Sequence, residues 1–223
     1  MLVHQDGDRC IHQLVHNEIR TNCFIVQRGQ QALLIDPSDR ADLLLAYLQA
    51  QGLQLAAMLA THAHFDHVAA AGGIVAAGAA PALYLHPLDL PEYKRANSYS
   101  LMLFKRPIQV APAQPFDAAL DAVLRQFGLG LRHAGGHTRG SCWLHDLDGG
   151  FLITGDLVLH HALKVNLADS RENLAEFGAF VDTVQREFAP AAVLLPGHGA
   201  ATTVGQEAAL NRKWAHVRER LAA

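Results

Sequence analysis

Short apolar runs closed by glycine, proline or a polar cluster recur along this chain. They alternate with stretches in which apolar positions return every three or four residues. The first pattern marks strands and the second amphipathic helices. Residues 11–16 and 22–27 read as strands, followed by a third at 31–35, and Gly29 between the last two predicts a hairpin. Asp36-Pro37 stops that strand. Ser38 or Asp39 then caps a helix over 41–51, where Leu43, Leu44, Tyr47 and Leu48 share one face and Gly52 supplies the stop. Residues 55–60 form a continuous apolar run, the pattern of a buried strand, and the small residues of 68–73 predict a tightly packed helix. Another strand is expected over 81–86.

The second half repeats the first in kind. Strands are predicted over 129–134, 141–146 and 150–154, with Asp148-Gly149 turning between the last two. Residues 172–188 place Leu174, Phe177, Phe180, Val181 and Val184 on one helical face, and 191–195 is a buried strand. Thr203 with Gln206 makes a capping box for a final helix running through Trp214 toward Leu221. Between the halves, Pro81, Pro87, Pro91, Pro107, Pro112 and Pro115 punctuate a stretch that also carries Tyr93, Tyr99, Met102 and Phe104. Residues 87–118 are therefore expected to form a helical or irregular excursion, either a connector or a flap covering substrate. The order is mixed α/β. No shift of composition marks a linker, so residues 1–223 read as a single domain.

At 223 residues, half of them apolar and 17% charged, the chain has the composition of a globular protein with a substantial core. A net charge of -3 gives no electrostatic preference for nucleic acid or an anionic membrane, so neither is expected as a partner. The first residues lack a basic region followed by an apolar core, which points to a cytoplasmic location. Cys10, Cys23 and Cys142 are odd in number and widely spaced, as expected of reduced core thiols.

The chemistry concentrates where predicted strands end. His62, His64, Asp66 and His67 follow the 55–60 strand, and imidazole with carboxylate is the donor set of zinc and other borderline metals. Side chains two apart in an extended segment point the same way, so His62 and His64 can reach one ion together. Asp66 and His67, at the turn into the helix, point elsewhere and suit a second ion. Gly136-His137-Thr138, Thr154-Gly155-Asp156 and Pro196-Gly197-His198-Gly199 lie at three further strand ends. Their glycines allow sharp turns and close approach of backbone to an ion.

At these motifs, and across most of its length, the chain resembles the metallo-β-lactamase fold superfamily, within it the hydroxyacylglutathione hydrolase (glyoxalase II-like) branch. Asn22-Cys23-Phe24 and Ile35-Asp36-Pro37 are similar to that family's early strands, and Thr203, Glu207 and Asn211 to its following helix. The resemblance implies an α/β, four-layer αββα sandwich. It implies His62, His64 and His137 on one metal, Asp66, His67 and His198 on the other, and Asp156 bridging them. Two divalent ions are implied, zinc first, with iron or manganese as alternatives. The implied activity is cleavage of a small acyl thioester or ester by a metal-bridging hydroxide, with Asp66 also passing a proton to the leaving group. Thr61, Asp36, Thr138 and Ser141 are candidates for orienting the ligands.

The chain also departs from the family pattern. Arg139-Gly140 follows the Gly-His-Thr motif where Pro-Gly is usual, and Ala134-Gly135 precedes it in place of proline. After Asp156 the usual glycine-rich loop with a basic residue is replaced by 157–166, where Lys164 alone carries charge. The glutathione-binding helical domain of the longer enzymes is expected to be missing, which makes other acyl groups equally credible. Lys164, His160, His161 and Tyr99 are the candidate substrate contacts, and Tyr99 with Met102 would suit a substrate with an apolar portion. His86, at a strand end, is expected to be structural. Three alternatives remain: a lactonase of the same fold, a mononuclear iron persulfide dioxygenase, and a non-catalytic regulator that keeps the metal site for folding.

Overall fold

A computed structural model of the chain describes residues 1–15, 17–38, 40–164, 171–214 and 217, with the side chains of residues 171, 172 and 174 also left aside. Expectations for His16, Asp39, Leu174, His216 and the end of the last helix at Leu221 lie outside these described residues. The chain divides into two compact units, Met1–Phe127 and Gly128–Ala223.

Unit 1 is built on a seven-stranded sheet. Its strands are β1 (Leu2–Asp6), β2 (Arg9–Val15), β3 (Asn22–Arg28), β4 (Gln31–Ile35), β5 (Gln54–Leu59), β6 (Leu83–Tyr84) and β7 (Ala113–Gln114), paired in sequence order. Pairing is antiparallel from β1 to β4 and parallel from β4 to β7. The β3–β4 hairpin turns at Gly29 as expected, with Arg28 opposite Gln31 and Gly29 at φ 58°. Parallel pairing needs crossovers, and helices provide them. They are α1 (Ala41–Ala50), α2 (Phe65–Val68), α3 (Ala71–Ala76), α4 (Leu90–Tyr93) and α5 (Ala96–Phe104), while α6 (Ala118–Gln126) follows β7. Leu44 and Leu48 of α1 and Ile74 of α3 bury against Leu34 and Met58 of the sheet in one apolar core.

Several details differ from the sequence reading. Helix α1 is capped by Arg40 with no side-chain cap bond. Ser38 is fully buried instead of capping. β1 was not expected: its pattern is mostly exposed, because it is an edge strand paired only with β2. The strand expected over 81–86 shortens to β6, between prolines that remove ladder donors. Helix α6 was also missed, although Asp117 caps it by accepting from Leu120 N at 2.8 Å and Leu120 and Leu124 bury one face. The excursion at 87–118 contains a 3₁₀ turn at Pro87–Asp89, then α4, α5 and β7. Tyr93 pins it, its hydroxyl donating to the Ala111 carbonyl at 2.9 Å. The small residues of α3 have their reason here as well: a Cβ on Gly72 would collide with the backbone of Gln109.

Unit 2 carries a five-stranded sheet in the order β14-β13-β10-β9-β8. Its strands are β8 (Leu129–His133), β9 (Cys142–Asp146), β10 (Phe151–Gly155), β13 (Val193–Pro196) and β14 (Thr202–Thr203). A small hairpin of β11 (Val158–Leu159) and β12 (Ala162–Leu163) stands apart from the sheet. The β9–β10 turn runs through Asp148-Gly149 as expected, with Gly149 at φ 81°. Helix α7 (Arg171–Glu187) lays Phe177, Phe180, Val181 and Val184 against Trp143, Leu152 and Leu194 in the second core. Helix α8 (Val204–Leu210) is capped by Thr203, which accepts from Gln206 N at 3.2 Å. It ends at Asn211, which takes an extended ψ of 100°, so the expected single helix through Trp214 is interrupted there. No described helix is long and apolar enough to cross a membrane.

Candidate metal centre

In unit 1 the apolar β5 ends at Leu59, and Thr61 to His64 carry the chain to α2. His64 is the extended residue that precedes it, at φ -61° and ψ 142°. His62, Asp66 and His67 are buried and His64 is half-buried. His62 Nε2 lies 3.1 Å from His64 Nδ1, and His67 Nε2 lies 3.4 Å from Asp66 Oδ2.

Asp36, at the end of β4, organises these side chains. It is fully buried and sits at φ 53°. Its Oδ1 accepts from Thr61 N at 2.6 Å and its Oδ2 from Thr61 Oγ1 at 2.9 Å. A carboxylate only accepts, so the Thr61 hydroxyl proton points at Asp36. Thr61 Oγ1, 3.1 Å from His62 Nδ1, is then an acceptor for that ring N–H. The proton is thus fixed on Nδ1, and the lone pair of His62 lies on Nε2, facing His64. His67 Nδ1 also lies 3.0 Å from Asp36 Oδ2, in charge contact and without hydrogen-bond geometry. One buried carboxylate therefore sets the tautomer of His62 and stands against the ring of His67.

Two further groups hold this set and were not anticipated. Thr21 Oγ1 donates to Asp66 Oδ2 at 2.6 Å, and Asp89 Oδ2 accepts from Ala63 N at 2.9 Å. Nearby, burial pushes the Cys23 thiol upward, a direction to which Asp36 adds. Cys23 is held neutral and is no nucleophile.

Unit 2 holds the other set. The loop after β8 bends at Gly136, φ 86°, where a Cβ would overlap the Phe177 ring. Asn173 clamps that turn, its Oδ1 accepting from Gly136 N at 2.7 Å and its Nδ2 donating to Gly136 O at 3.3 Å. Thr138 and Ser141 close the loop, Thr138 N donating to Ser141 Oγ at 2.9 Å. His137 Nδ1 lies 3.0 Å from the Lys164 carbonyl. A carbonyl only accepts, so Nδ1 carries the proton and Nε2 is the donor atom. Asp156 follows β10 and His198 follows β13, and Gly197 N donates to Gly155 O at 2.7 Å, tying the two strand ends together. His137 Nε2 and His198 Nε2 each lie 3.6 Å from Asp156 Oδ2.

The 3.4 and 3.6 Å separations are too long for good hydrogen bonds. They match the spacing of atoms sharing one cation. Two nitrogens about 2.0–2.1 Å from an ion at a tetrahedral angle lie about 3.3 Å apart. The buried donor sets, with imidazoles oriented by carboxylate, hydroxyl and carbonyl, fit divalent metals.

Among the remaining candidates, Lys164 contributes its carbonyl to His137 while its side chain is exposed. His160 and His161 are exposed, their rings 4.1 Å apart. The backbone N–H of His161 is held at 2.9 Å by Glu207, a fully buried carboxylate that also accepts from Thr202 and Asn211. Tyr99 is half-buried on α5, and Met102 is exposed. His86 caps the 3₁₀ turn, its Nδ1 accepting from Leu88 N at 3.3 Å.

Comparison with known proteins agrees with this architecture. A protein of Mycobacterium tuberculosis (strain ATCC 25618 / H37Rv) described as uncharacterized is 30% identical over 209 residues, covering 85% of this chain and 91% of that protein. The hydroxyacylglutathione hydrolase GloC of Haemophilus influenzae (strain ATCC 51907 / DSM 11121 / KW20 / Rd) is 25% identical over 206 residues, covering 83% and 89%. Among solved structures, TTHA1623 in a di-iron-bound form shares 32% identity at a TM-score of 0.76, covering 91% of this chain and 99% of that one. Residues 16–209 match the model of the Metallo-beta-lactamase superfamily. With that match across most of its length, the mixed α/β chain belongs to the metallo-beta-lactamase superfamily.

Proposed function

We propose that this protein is a dinuclear metal-dependent hydrolase of small acyl thioesters or esters. The reading is carried by the donor-atom spacing: buried and half-buried imidazole and carboxylate atoms 3.1–3.6 Å apart, with the His62 and His137 rings oriented from behind. The family resemblance would assign His62, His64 and His137 to one ion and Asp66, His67 and His198 to the other, with Asp156 serving both. The di-iron form of TTHA1623 supports a two-metal reading and brings iron forward beside zinc. GloC supports the thioester class.

Divalent ions bound there supply acidification of a water and polarisation of the substrate carbonyl. The protein's own groups do the rest. Asp66, fixed at Oδ2 by Thr21, takes the proton of the attacking water at Oδ1 and passes it to the leaving sulfur or oxygen. The water oxygen bonds to the acyl carbon as the carbon–sulfur or carbon–oxygen bond breaks, giving a carboxylic acid and a thiol or alcohol. Asp36, acting through Thr61, and the Lys164 carbonyl keep the His62 and His137 lone pairs aimed while charge shifts.

The test is elemental analysis of purified protein beside a panel of acyl thioesters, esters and lactones. Two metals per chain and thioester or ester turnover are expected, with His64→Ala and Asp156→Ala inactive. One iron per chain, with sulfite formed from a persulfide, would replace this reading with the dioxygenase.

A further inference from the structure

Helix α8 turns a carboxylate toward the core of unit 2. Val204, Glu207 and Asn211 recur at helical spacing on its buried side, yet Glu207 and Asn211 are polar. Glu207 is fully buried, and a carboxylate is tolerated there only where donors surround it. Thr202 Oγ1 donates to its Oε1 at 2.8 Å and Asn211 Nδ2 to its Oε2 at 2.7 Å, both from within five residues. The third donor comes from 46 residues away: the His161 N–H, 2.9 Å from Oε1, at the tip of the β11–β12 hairpin.

That hairpin needs an outside hold. His160 and His161 form its two-residue turn, between the paired Leu159 and Ala162. Turns that suit the twist of such a hairpin place positive φ at the first turn residue or at both. Of these two only His161 has positive φ, at 57°, and it is not a glycine. The strands are two residues long and join no other sheet among the described residues. Glu207 fixes the turn by accepting the N–H of its strained residue, and Lys213 Nζ donates to the Leu163 carbonyl at 3.3 Å on the returning strand.

The hairpin leaves the site just after Asp156 and returns to it at Lys164, the residue after β12. The Lys164 carbonyl accepts from His137 Nδ1 at 3.0 Å. Lys164 N is held only weakly, 3.4 Å from the Leu157 carbonyl, so the turn at His161 governs where that carbonyl points. We propose that Glu207 is a positioning residue for His137: it sets the β11–β12 turn, and through it the Lys164 carbonyl that keeps the His137 proton on Nδ1 and the Nε2 lone pair aimed at a metal. The proposal rests on the reading of His137 as a metal ligand given above. Loss of a partner that orients a ligating histidine weakens metal binding about 10–100-fold, and a support one step further back belongs at the low end, about tenfold.

The experiment uses the whole chain with ¹⁵N-labelled histidine, metal-free and at about pH 8.5, roughly two units above the ordinary histidine value. The ring-nitrogen signals of His137, assigned by their loss in His137→Gln, report which nitrogen carries the proton. Zn²⁺ affinity is measured by competition against a chromophoric chelator. Glu207→Leu removes the acceptor. Glu207→Gln keeps it, because the amide oxygen takes the His161 and Thr202 donors while Asn211, whose Oδ1 is buried without a partner, turns its own amide to accept from the new NH₂. Thr202→Val deletes one bond to the same carboxylate without touching His161. His161→Gly suits φ 57° and makes the turn independent of Glu207.

In Glu207→Leu the His137 proton is expected to move in part to Nε2, with Zn²⁺ bound about tenfold more weakly. Adding His161→Gly should recover both, and Glu207→Gln and Thr202→Val should stay within about threefold of wild type. An unchanged tautomer and affinity in Glu207→Leu overturn the proposal. An equal loss in Thr202→Val also overturns it, since that marks a general loosening of the core. If Glu207→Leu alone does not fold, the double variant decides: a folded protein with the proton on Nδ1 supports the proposal, and one that stays unfolded overturns it. A tautomer that responds as expected in a protein that binds no Zn²⁺ overturns the metal reading alone.

Discussion

Replacing Asp36 by Asn separates the ligand-orienting role of its carboxylate from its role in the backbone. Asn tolerates the left-handed conformation nearly as well as Asp, so φ 53° at this position stays accessible. The side-chain oxygen of Asn can still accept from Thr61 N, but an NH₂ group replaces the oxygen that faces Thr61 Oγ1 and His67 Nδ1. A donor there turns the Thr61 hydroxyl proton away from position 36 and toward His62 Nδ1, 3.1 Å away. The ring must then carry its own proton on Nε2, the atom facing His64, which loses its lone pair for metal. Loss of such an orienting partner typically weakens metal binding about 10–100-fold. His67 loses only the carboxylate charge beside its Nδ1. For the metal-free fold, two hydrogen bonds to a charged acceptor become neutral ones, a loss of about 1–3 kcal/mol. For a chain of this size that is a fall of very roughly 3–9 °C in Tm. Asp36→Ala adds an unsatisfied Thr61 N–H and the left-handed penalty, for a total of about 3–5 kcal/mol. The assays are competition against a chromophoric chelator and urea denaturation in EDTA. If D36N binds both ions within about twofold of wild type while its metal-free stability falls as expected, the tautomer reasoning is wrong.

Other expectations follow from the same contacts. Thr21→Val weakens metal binding about 10-fold and, at saturating metal, lowers kcat about 10-fold or more with little change in KM, because Asp66 loses the bond that aims it; steady-state kinetics beside a metal titration checks it. Gly136→Ala places a Cβ against the Phe177 ring at φ 86° and costs about 2–4 kcal/mol, read from urea midpoints. His145 is held below the ordinary histidine range by burial, with the Arg132 charge adding to it, and His12 is lowered chiefly by burial as well. Both are neutral in the fold, while the unfolded chain takes up protons near pH 6.5. Stability is therefore full above about pH 6.5 and falls as pH drops toward the lower folded values. His145→Phe should flatten that slope between pH 7 and 5, measured in chelator so that metal release does not contribute.

The sequence exposed those features that depend on neighbouring residues. Continuous apolar runs marked β3, β4 and β5, and Gly29 and Gly149 marked the β3–β4 and β9–β10 turns, because a hairpin and a buried strand are local patterns. The candidate ligands were visible because each follows such a strand. The groups that orient them were less so. Thr21 reaches Asp66 across 45 residues, Asp89 reaches Ala63 across 26, and Asn173 reaches Gly136 across 37. A single hydrogen bond over that distance leaves no periodicity to read. Edge strand β1 was missed for the opposite reason: exposed on most of its length, it lacks the alternation that half-burial imposes. The proline-rich excursion was recognised as unusual, but the turn at Lys105 depends on Ser100 and Asn97 meeting the returning chain at Arg106 and Ile108.

The most direct measurement is a titration of metal-depleted protein with Zn²⁺ or Fe²⁺ while hydrolysis of an acyl thioester is followed. Two ions working together require turnover to climb with the second equivalent and to level at two per chain. Full turnover at one equivalent, or none at any loading, would contradict the dinuclear hydrolase.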